Sequence, residues 1–78
     1  MNNKEKYNRV FTDSLLVEEK QLSGLSYQSV PGWDSVGHMA LVAALEETFD
    51  IMMDTDDIID FSSYEKGKEI LEKYNVTF

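Results

Sequence analysis

The chain has 78 residues, no cysteine, and 15 acidic against 7 basic side chains, which gives a formal net charge of −8. This length predicts a single domain over residues 1–78, with a small core and a function that lies at the surface. The missing cysteine excludes a disulfide, a thiolate nucleophile and a cysteine-based metal site, so any thiol chemistry has to come from an attached group.

The first predicted element is an amphipathic helix from Lys4 to about Val17. Its mostly apolar stripe recurs at three- and four-residue spacing and consists of Tyr7, Val10, Phe11, Ser14 and Leu15. From Glu18 to Asp34 the pattern breaks into turn-forming residues, with Leu25 and Val30 as the expected core anchors. The sequence therefore predicts a long ordered loop, and loops of this length are often functional.

The second helix is predicted from Ser35 to about Thr48. This stretch has no proline and is rich in alanine, leucine, methionine and glutamate, all of which favour a helix. Its expected core stripe has a spacing of four residues and consists of Leu41, Leu45 and Phe49, widened by Val42.

Two further helices are predicted in the C-terminal part. Asp54 or Thr55 is expected to cap a short third helix, roughly Asp56 to Asp60. Residues 62–65 (SSYE) have the spacing of a capping box, which predicts the start of a fourth helix that runs to about Asn75. Its expected buried face consists of Tyr64, Gly67, Ile70, Leu71 and Tyr74.

Strand alternation is absent from the whole sequence, so the predicted fold class is all-α. The expected architecture is a small four-helix bundle. It has three amphipathic helices, one short third helix, and a long loop between helices 1 and 2.

The junction between this loop and the second helix carries the chemistry. Asp34 and Ser35 are both good N-cap residues, so Asp34 is expected to cap the helix while the Ser35 hydroxyl points outward. The free N–H groups and the positive end of the helix dipole favour an anion there, by about 0.3–1 kcal/mol. A phosphodiester on Ser35 would lie in this field; the alternative is that the pair is a plain helix cap.

The segment from Gly32 to Ile51, GWDSVGHMALVAALEETFDI, resembles the prosthetic-group site and second helix of acyl carrier proteins. The Asp-Ser-aliphatic tripeptide stands at a loop-to-helix junction and is followed by Leu-x-x-x-Leu-Glu-x-x-Phe. The acidic third-helix region and the capped fourth helix follow at family spacing, so the resemblance covers essentially the whole chain. First-helix core residues also match: Tyr7, Val10, Phe11, Leu15 and Val17.

The resemblance implies that Ser35 accepts a 4′-phosphopantetheine arm from coenzyme A, transferred by a separate magnesium-dependent phosphopantetheinyl transferase. Acyl or aminoacyl groups would then be carried as thioesters on the thiol of the arm. Asp34 would help to present the serine, and Val36 would be an exposed apolar contact for partner enzymes. The protein is thus expected to be a carrier and not an enzyme.

The chain also departs from fatty-acid carriers, which usually have acidic or hydroxyl residues in the first turns of the second helix. Here those positions hold Gly37, His38 and Ala40. Trp33 before the Asp-Ser pair resembles specialised stand-alone carriers, and it is expected to be a packing residue. The resemblance therefore favours a specialised lipid, polysaccharide or secondary-metabolite biosynthetic pathway.

Nearly all of the excess charge lies in residues 46–60, which hold seven acidic residues and no basic one. Such a block steers association with basic protein surfaces and argues against nucleic acid or anionic membrane as a partner. Acyl-loading and acyl-transferring enzymes with basic docking surfaces are the expected partners, bound transiently by a monomer. The carboxylates expected to contact them are Glu46, Glu47, Asp54, Asp56 and Asp57.

Several apolar residues are expected either to pack in the core or to line a pocket for the arm and its acyl chain. Ile58 and Phe61 are predicted to pack in the core and to line the route of an arm or acyl chain. Methionine fills irregular gaps, so core or pocket-lining positions are expected for Met39, Met52 and Met53. His38 is the only histidine and has no ligating companion, which predicts a solvated helix residue and not a base or metal ligand.

Two other function classes fit parts of the sequence. A non-enzymatic acidic helical adaptor would use the charged block alone. A divalent-cation-binding protein is a weaker alternative, because Ile58 and Ile59 stand where a calcium loop needs an oxygen ligand and a glycine, so no metal site is expected. The N-terminus has no secretory apolar stretch and the chain has no run of 18 apolar residues, which predicts a cytoplasmic protein.

Overall fold

The computed structural model describes residues 2–78, which form four α-helices and one 3-10 helix. In chain order they are α1 (Asn3–Leu15), the 3-10 helix (Glu19–Gln21), α2 (Ser35–Phe49), α3 (Thr55–Asp60) and α4 (Tyr64–Glu72). Over these residues there is no β-strand, only an isolated antiparallel bridge between Ser26 and Ser63. The all-α prediction is confirmed. None of the four helices is long and apolar enough to cross a membrane.

Helix α1 is capped by Asn2, whose side chain accepts a hydrogen bond of 2.8 Å from the backbone N–H of Glu5. The helix ends earlier than predicted because Leu16 adopts the left-handed conformation, with φ 57° and ψ 44°. The predicted apolar stripe is otherwise confirmed, since four of its five members are buried: Tyr7, Val10, Phe11 and Leu15.

The core is centred on Phe11 of α1. Its ring lies 4.8 Å from that of Tyr7 and 5.6 Å, edge-on, from the indole of Trp33. Phe61 stacks on it at 6.0 Å, so aromatic residues from helix α1 and from two loops meet at one point. Edge-to-face and offset arrangements of this kind contribute about 0.5–1.5 kcal/mol per pair beyond their buried area.

Helix α2 packs mainly against α1. Leu41, Val42 and Leu45 are buried as predicted, whereas Phe49 at the end of the helix is only half-buried. Trp33, just before the helix, has no exposed surface, which confirms its packing role.

The loop between α1 and α2 is ordered by both core contacts and backbone pairing. Leu22 and Leu25 are buried, while the expected anchor Val30 is only half-buried. The backbone N–H of Tyr27 donates to the Ser62 carbonyl, and that of Tyr64 donates to the Leu25 carbonyl, each over 2.9 Å. The loop is thereby paired with the segment that connects α3 and α4.

Helix α4 begins differently from the predicted capping box. Ser63 is the N-cap and its hydroxyl accepts from the Lys66 N–H at 2.9 Å, whereas Glu65 accepts from the Gly24 N–H at 3.1 Å. The predicted Ser62–Glu65 box is therefore wrong, because Glu65 bonds to the long loop. A Cβ at Gly67 would collide with the Phe61 ring and the Tyr7 hydroxyl, so the absence of a side chain lets α4 approach the core.

Candidate functional site

Ser35 is the first residue of α2 and is exposed to solvent. Asp34 is the N-cap, and its carboxylate accepts a 2.8 Å hydrogen bond from the Gly37 N–H. The predicted capping by Asp34 is confirmed. Because Asp34 supplies the cap, the Ser35 hydroxyl is not used for it.

The first turn of α2 lies very close to the loop that precedes it. A Cβ at position 37 would collide with the carbonyl oxygen of Gly32. A Cβ at position 32 would in turn collide with the carbonyl of Leu15 at the end of α1. The two glycines allow the loop backbone to pass between α1 and the start of α2. Position 37 therefore has to be glycine for steric reasons.

The Ser35 hydroxyl has one side-chain partner, the phenol of Tyr27. The two oxygens are 3.1 Å apart, and either hydroxyl can be the donor. No pattern in the sequence singles out Tyr27, which lies eight positions earlier within a run of turn-forming residues. The two hydroxyls are brought together by the pairing of the loop with the α3–α4 connection and by the backbone hydrogen bond from Gln28 to Trp33.

An apolar cleft of about 360 Å³ opens beside Ser35. Its polar rim is formed by Tyr27, Ser35, His38 and Ser62, and its apolar wall by Met39, Ile58, Ile59 and Phe61. Both residues predicted to line the route of a chain lie here, with Ile58 half-buried and Phe61 buried. Met39 lines the cleft and Met53 is buried in the core, as predicted. Met52 is 86 % exposed, so the prediction of a core or pocket-lining position is wrong for this residue.

His38 is half-buried and both of its ring nitrogens are occupied, so the prediction of a solvated residue is wrong. The indole N–H of Trp33 donates to Nδ1 over 2.9 Å, and Nε2 lies 2.8 Å from the carbonyl oxygen of Ile58. An indole N–H can only donate and a carbonyl can only accept. His38 is therefore the neutral tautomer with its proton on Nε2. It has no free lone pair with which to take a proton from Ser35.

Exposed apolar side chains surround this region. Val36, next to Ser35, is 79 % exposed, in agreement with the expected exposure. Ile59 and Met39, on the wall of the cleft, are 72 % and 55 % exposed. Exposed apolar residues that cluster near one site are typical of an interaction surface.

The acidic residues of the 46–60 block are not equally available. Asp54 and Asp56 are exposed, as expected for contacts with a basic partner. Glu47 is exposed too, but it lines a separate groove of about 480 Å³ together with Lys6 and Arg9 of α1. This groove is distinct from the cleft beside Ser35.

The other two predicted docking carboxylates hold the fold together. Glu46 is half-buried and accepts a 2.9 Å hydrogen bond from the Met53 N–H, which fixes the connection between α2 and α3. Asp57 is only 7 % exposed, and its two carboxylate oxygens accept from Lys73 Nζ and the Tyr74 hydroxyl, each over 2.5 Å. Asp57 thus differs from the exposed Asp54 and Asp56, because its carboxylate is buried and already paired within the chain.

This pairing shifts the pKa values of all three groups. The hydrogen bonds from Lys73 and then Tyr74 hold the pKa of Asp57 below its ordinary value. The same carboxylate raises the pKa of Lys73 and that of Tyr74. Across residues 2–78, no three histidine or acidic side chains converge to hold a metal ion.

The site therefore combines an exposed serine at the start of the longest helix, an apolar cleft, and acidic groups on α3. The one histidine that lines the cleft, His38, has both ring nitrogens in hydrogen bonds. The chain matches no protein-family model, no curated protein and no solved structure.

Proposed function

We propose that the protein carries acyl or aminoacyl intermediates as thioesters on a 4′-phosphopantetheine arm attached to Ser35. The four helices would then form the bundle typical of acyl carrier proteins. When bound, the arm supplies the thiol that the sequence lacks.

The position of Ser35 is the observation that carries the proposal. Its hydroxyl is exposed at the first position of α2, while Asp34 satisfies the Gly37 N–H. Anions are favoured at such a position by the helix dipole and by unpaired backbone N–H groups. The residues present thus fit a phosphodiester on Ser35.

The cleft beside Ser35 supports the same function. Its apolar wall suits a carbon chain, and its polar rim of hydroxyl groups suits the amide and hydroxyl groups of a pantetheine arm. The cleft is open at the surface, so cargo bound there remains accessible to a partner.

A carrier role is favoured over catalysis by the state of His38. A serine nucleophile needs a neighbouring base to accept its proton. His38 is the only histidine, and its acceptor nitrogen is occupied by the Trp33 indole. We therefore infer that the proton of Ser35 is removed by an external enzyme, a phosphopantetheinyl transferase.

Partner enzymes are proposed to dock on the surface around Ser35. Val36 would supply the apolar contact, and Asp54 and Asp56 would attract lysine and arginine side chains. Exposed charges of this kind accelerate encounter more than they tighten a complex. The expected binding is transient, and the expected carrier is a monomer.

A specialised pathway is proposed because the first turn of α2 has no acidic residue. The close approach of the Gly32 carbonyl leaves no room for a side chain at position 37, and His38 forms hydrogen bonds with Trp33 and Ile58. Neither position is therefore free to present a carboxylate. Enzymes that recognise their carrier through acidic residues in the first turn of α2 would have no such residue to bind in this protein. A dedicated loading enzyme is expected to act on the protein more efficiently than a general fatty-acid enzyme.

The test is incubation with coenzyme A, Mg²⁺ and a broad-specificity phosphopantetheinyl transferase, followed by intact-mass measurement. The wild-type protein should gain one phosphopantetheine unit, and Ser35→Ala should gain none. Ser62→Ala is the matched control, since Ser62 lines the same cleft and its loss should leave the mass gain intact. An unmodified wild-type protein would refute the carrier function and favour an acidic helical adaptor.

A further inference from the structure

Among residues 2–78, the hydroxyl of Tyr27 is the only side-chain group that forms a hydrogen bond with Ser35 Oγ. The two oxygens are 3.1 Å apart, within hydrogen-bonding distance for two hydroxyl groups. In the proposed carrier function, Tyr27 is one of the polar residues on the rim of the cleft, and no role toward Ser35 itself is assigned to it.

The backbone of Tyr27 is fixed on both sides. Its N–H donates to the Ser62 carbonyl over 2.9 Å, and the next residue, Gln28, donates to the Trp33 carbonyl over 2.9 Å. The preceding residue forms the antiparallel bridge with Ser63. The base of the Tyr27 side chain is therefore held relative to both α2 and α4.

The ring of Tyr27 is also held by its neighbours. It lies edge-on to the Trp33 indole at 6.3 Å and to the His38 ring at 5.4 Å. Trp33 and His38 are hydrogen-bonded to each other, so the Tyr27 ring packs against two side chains that hold each other in place. A hydroxyl at the end of such a side chain occupies a defined place and costs little entropy to order.

The chemistry of the two hydroxyls determines what this contact can do. Before modification, each hydroxyl can donate or accept, and the bond favours one side-chain rotamer of Ser35. In the transfer, a bond forms between Ser35 Oγ and the pyrophosphate phosphorus of coenzyme A that carries the pantetheine group. The pyrophosphate P–O bond breaks, adenosine 3′,5′-bisphosphate leaves, and the serine proton passes to the transferase. Ser35 Oγ is then an ester oxygen without a proton, so Tyr27 can only donate.

We propose that Tyr27 is a positioning residue for Ser35, an inference that rests on the proposed carrier function. Its hydroxyl holds the serine in one rotamer before modification and donates to the phosphodiester afterwards. A phosphate oxygen carries charge, and hydrogen bonds to charged acceptors are about twice as strong as neutral ones. The contact is therefore expected to persist, and to strengthen, in the modified protein.

The test compares wild type with Tyr27→Phe, which keeps the ring and removes only the hydroxyl. Tyr64→Phe is the control, because it removes a tyrosine hydroxyl that bonds to Asn8, away from Ser35. Three quantities are measured on each protein: the three-bond Hα–Hβ couplings of Ser35 before modification, the ³¹P chemical shift after it, and kcat/KM for phosphopantetheinylation.

For Tyr27→Phe, we expect rotamer-averaged Ser35 couplings, a ³¹P shift closer to that of free phosphopantetheine, and a kcat/KM lower by about threefold to tenfold. Tyr64→Phe should match wild type in both spectroscopic readouts. If wild type is modified and Tyr27→Phe shows the same couplings and ³¹P shift, the role of Tyr27 is refuted while the carrier function stands. If wild type gains no mass, the carrier function itself fails, and the proposal falls with it.

Discussion

The indole Nε1 of Trp33 lies 2.9 Å from Nδ1 of His38, and this bond connects the buried end of the long loop to the first turn of α2. On its other side, His38 reaches the Ile58 carbonyl of α3 over 2.8 Å. One imidazole thus joins the loop, α2 and α3 beside the cleft. The orientation of α3 relative to Ser35 depends on this side chain.

His38→Ala is expected to destabilise the protein by about 1–3 kcal/mol. The substitution leaves the buried N–H of Trp33 without a partner, and an unsatisfied buried donor costs about this much. Urea unfolding monitored by the fluorescence of the single tryptophan measures the effect. Thr48→Ala, at an exposed position of the same helix, is the control and should stay within about 0.5 kcal/mol of wild type. Equal stability of His38→Ala and wild type would contradict the role of this bond.

Asp57→Asn is expected to reduce the change of the free energy of unfolding with pH, in both the acid and the alkaline range. The folded-state pKa of Asp57 is lowered, so its contribution is present above about pH 4, where an unfolded aspartate is ionised, and is lost as the pH falls through the lower folded value. The pKa values of Lys73 and Tyr74 are raised, so their contributions are present below about pH 10 and are lost as the pH rises further.

Thermal unfolding across this pH range measures the effect of the Asp57 substitution. Asp56→Asn is the matched control, because Asp56 is the neighbouring exposed carboxylate of the same helix. The control should keep the steep acid and alkaline limbs of wild type. Parallel curves for wild type and Asp57→Asn would show that the carboxylate is not paired in solution.

Gly37→Ala is expected to destabilise the protein by about 1–3 kcal/mol, although alanine is the better helix former by about 1 kcal/mol. The reason is the collision of the added Cβ with the Gly32 carbonyl oxygen, a backbone atom that cannot rotate away. Chemical denaturation measures the change. Ala43→Gly, at an exposed position in the middle of α2, is the reverse control and should cost about 0.5–1 kcal/mol. A stabilised Gly37→Ala protein would mean that helix propensity outweighs the close approach.

Val36→Asp and Asp56→Lys are expected to slow phosphopantetheinylation in different ways. Loss of the exposed apolar contact at Val36 should lower the initial rate about tenfold at any ionic strength. Charge reversal at Asp56 should lower it about threefold at low salt and less at high salt, because screening shortens the range of the interaction. Initial rates in a salt series separate the two. Asp13→Lys on α1 is the control charge reversal and should leave the rate unchanged.

Local patterns in the sequence were sufficient to predict the four α-helices and the position of Ser35, but not the 3-10 helix or the ends of α1 and α4. The period of Tyr7, Phe11 and Leu15 predicts α1, and Asp34 followed by Ser35 predicts the start of α2, because both signals depend only on residues within one or two turns. The exposure of Val36 follows from the same helix start.

The tertiary structure alone decided which side chains meet at the site. Tyr27 reaches Ser35 because the loop pairs with the connection between α3 and α4, and His38 reaches Ile58 across 20 positions of the chain. Asp57 looks like its acidic neighbours in sequence, yet it is buried because Lys73 and Tyr74, which directly follow α4, lie against it. Periodicity and capping patterns predict where a single helix lies and where it begins and ends. Contacts between distant segments depend on how the helices pack, which no local pattern contains.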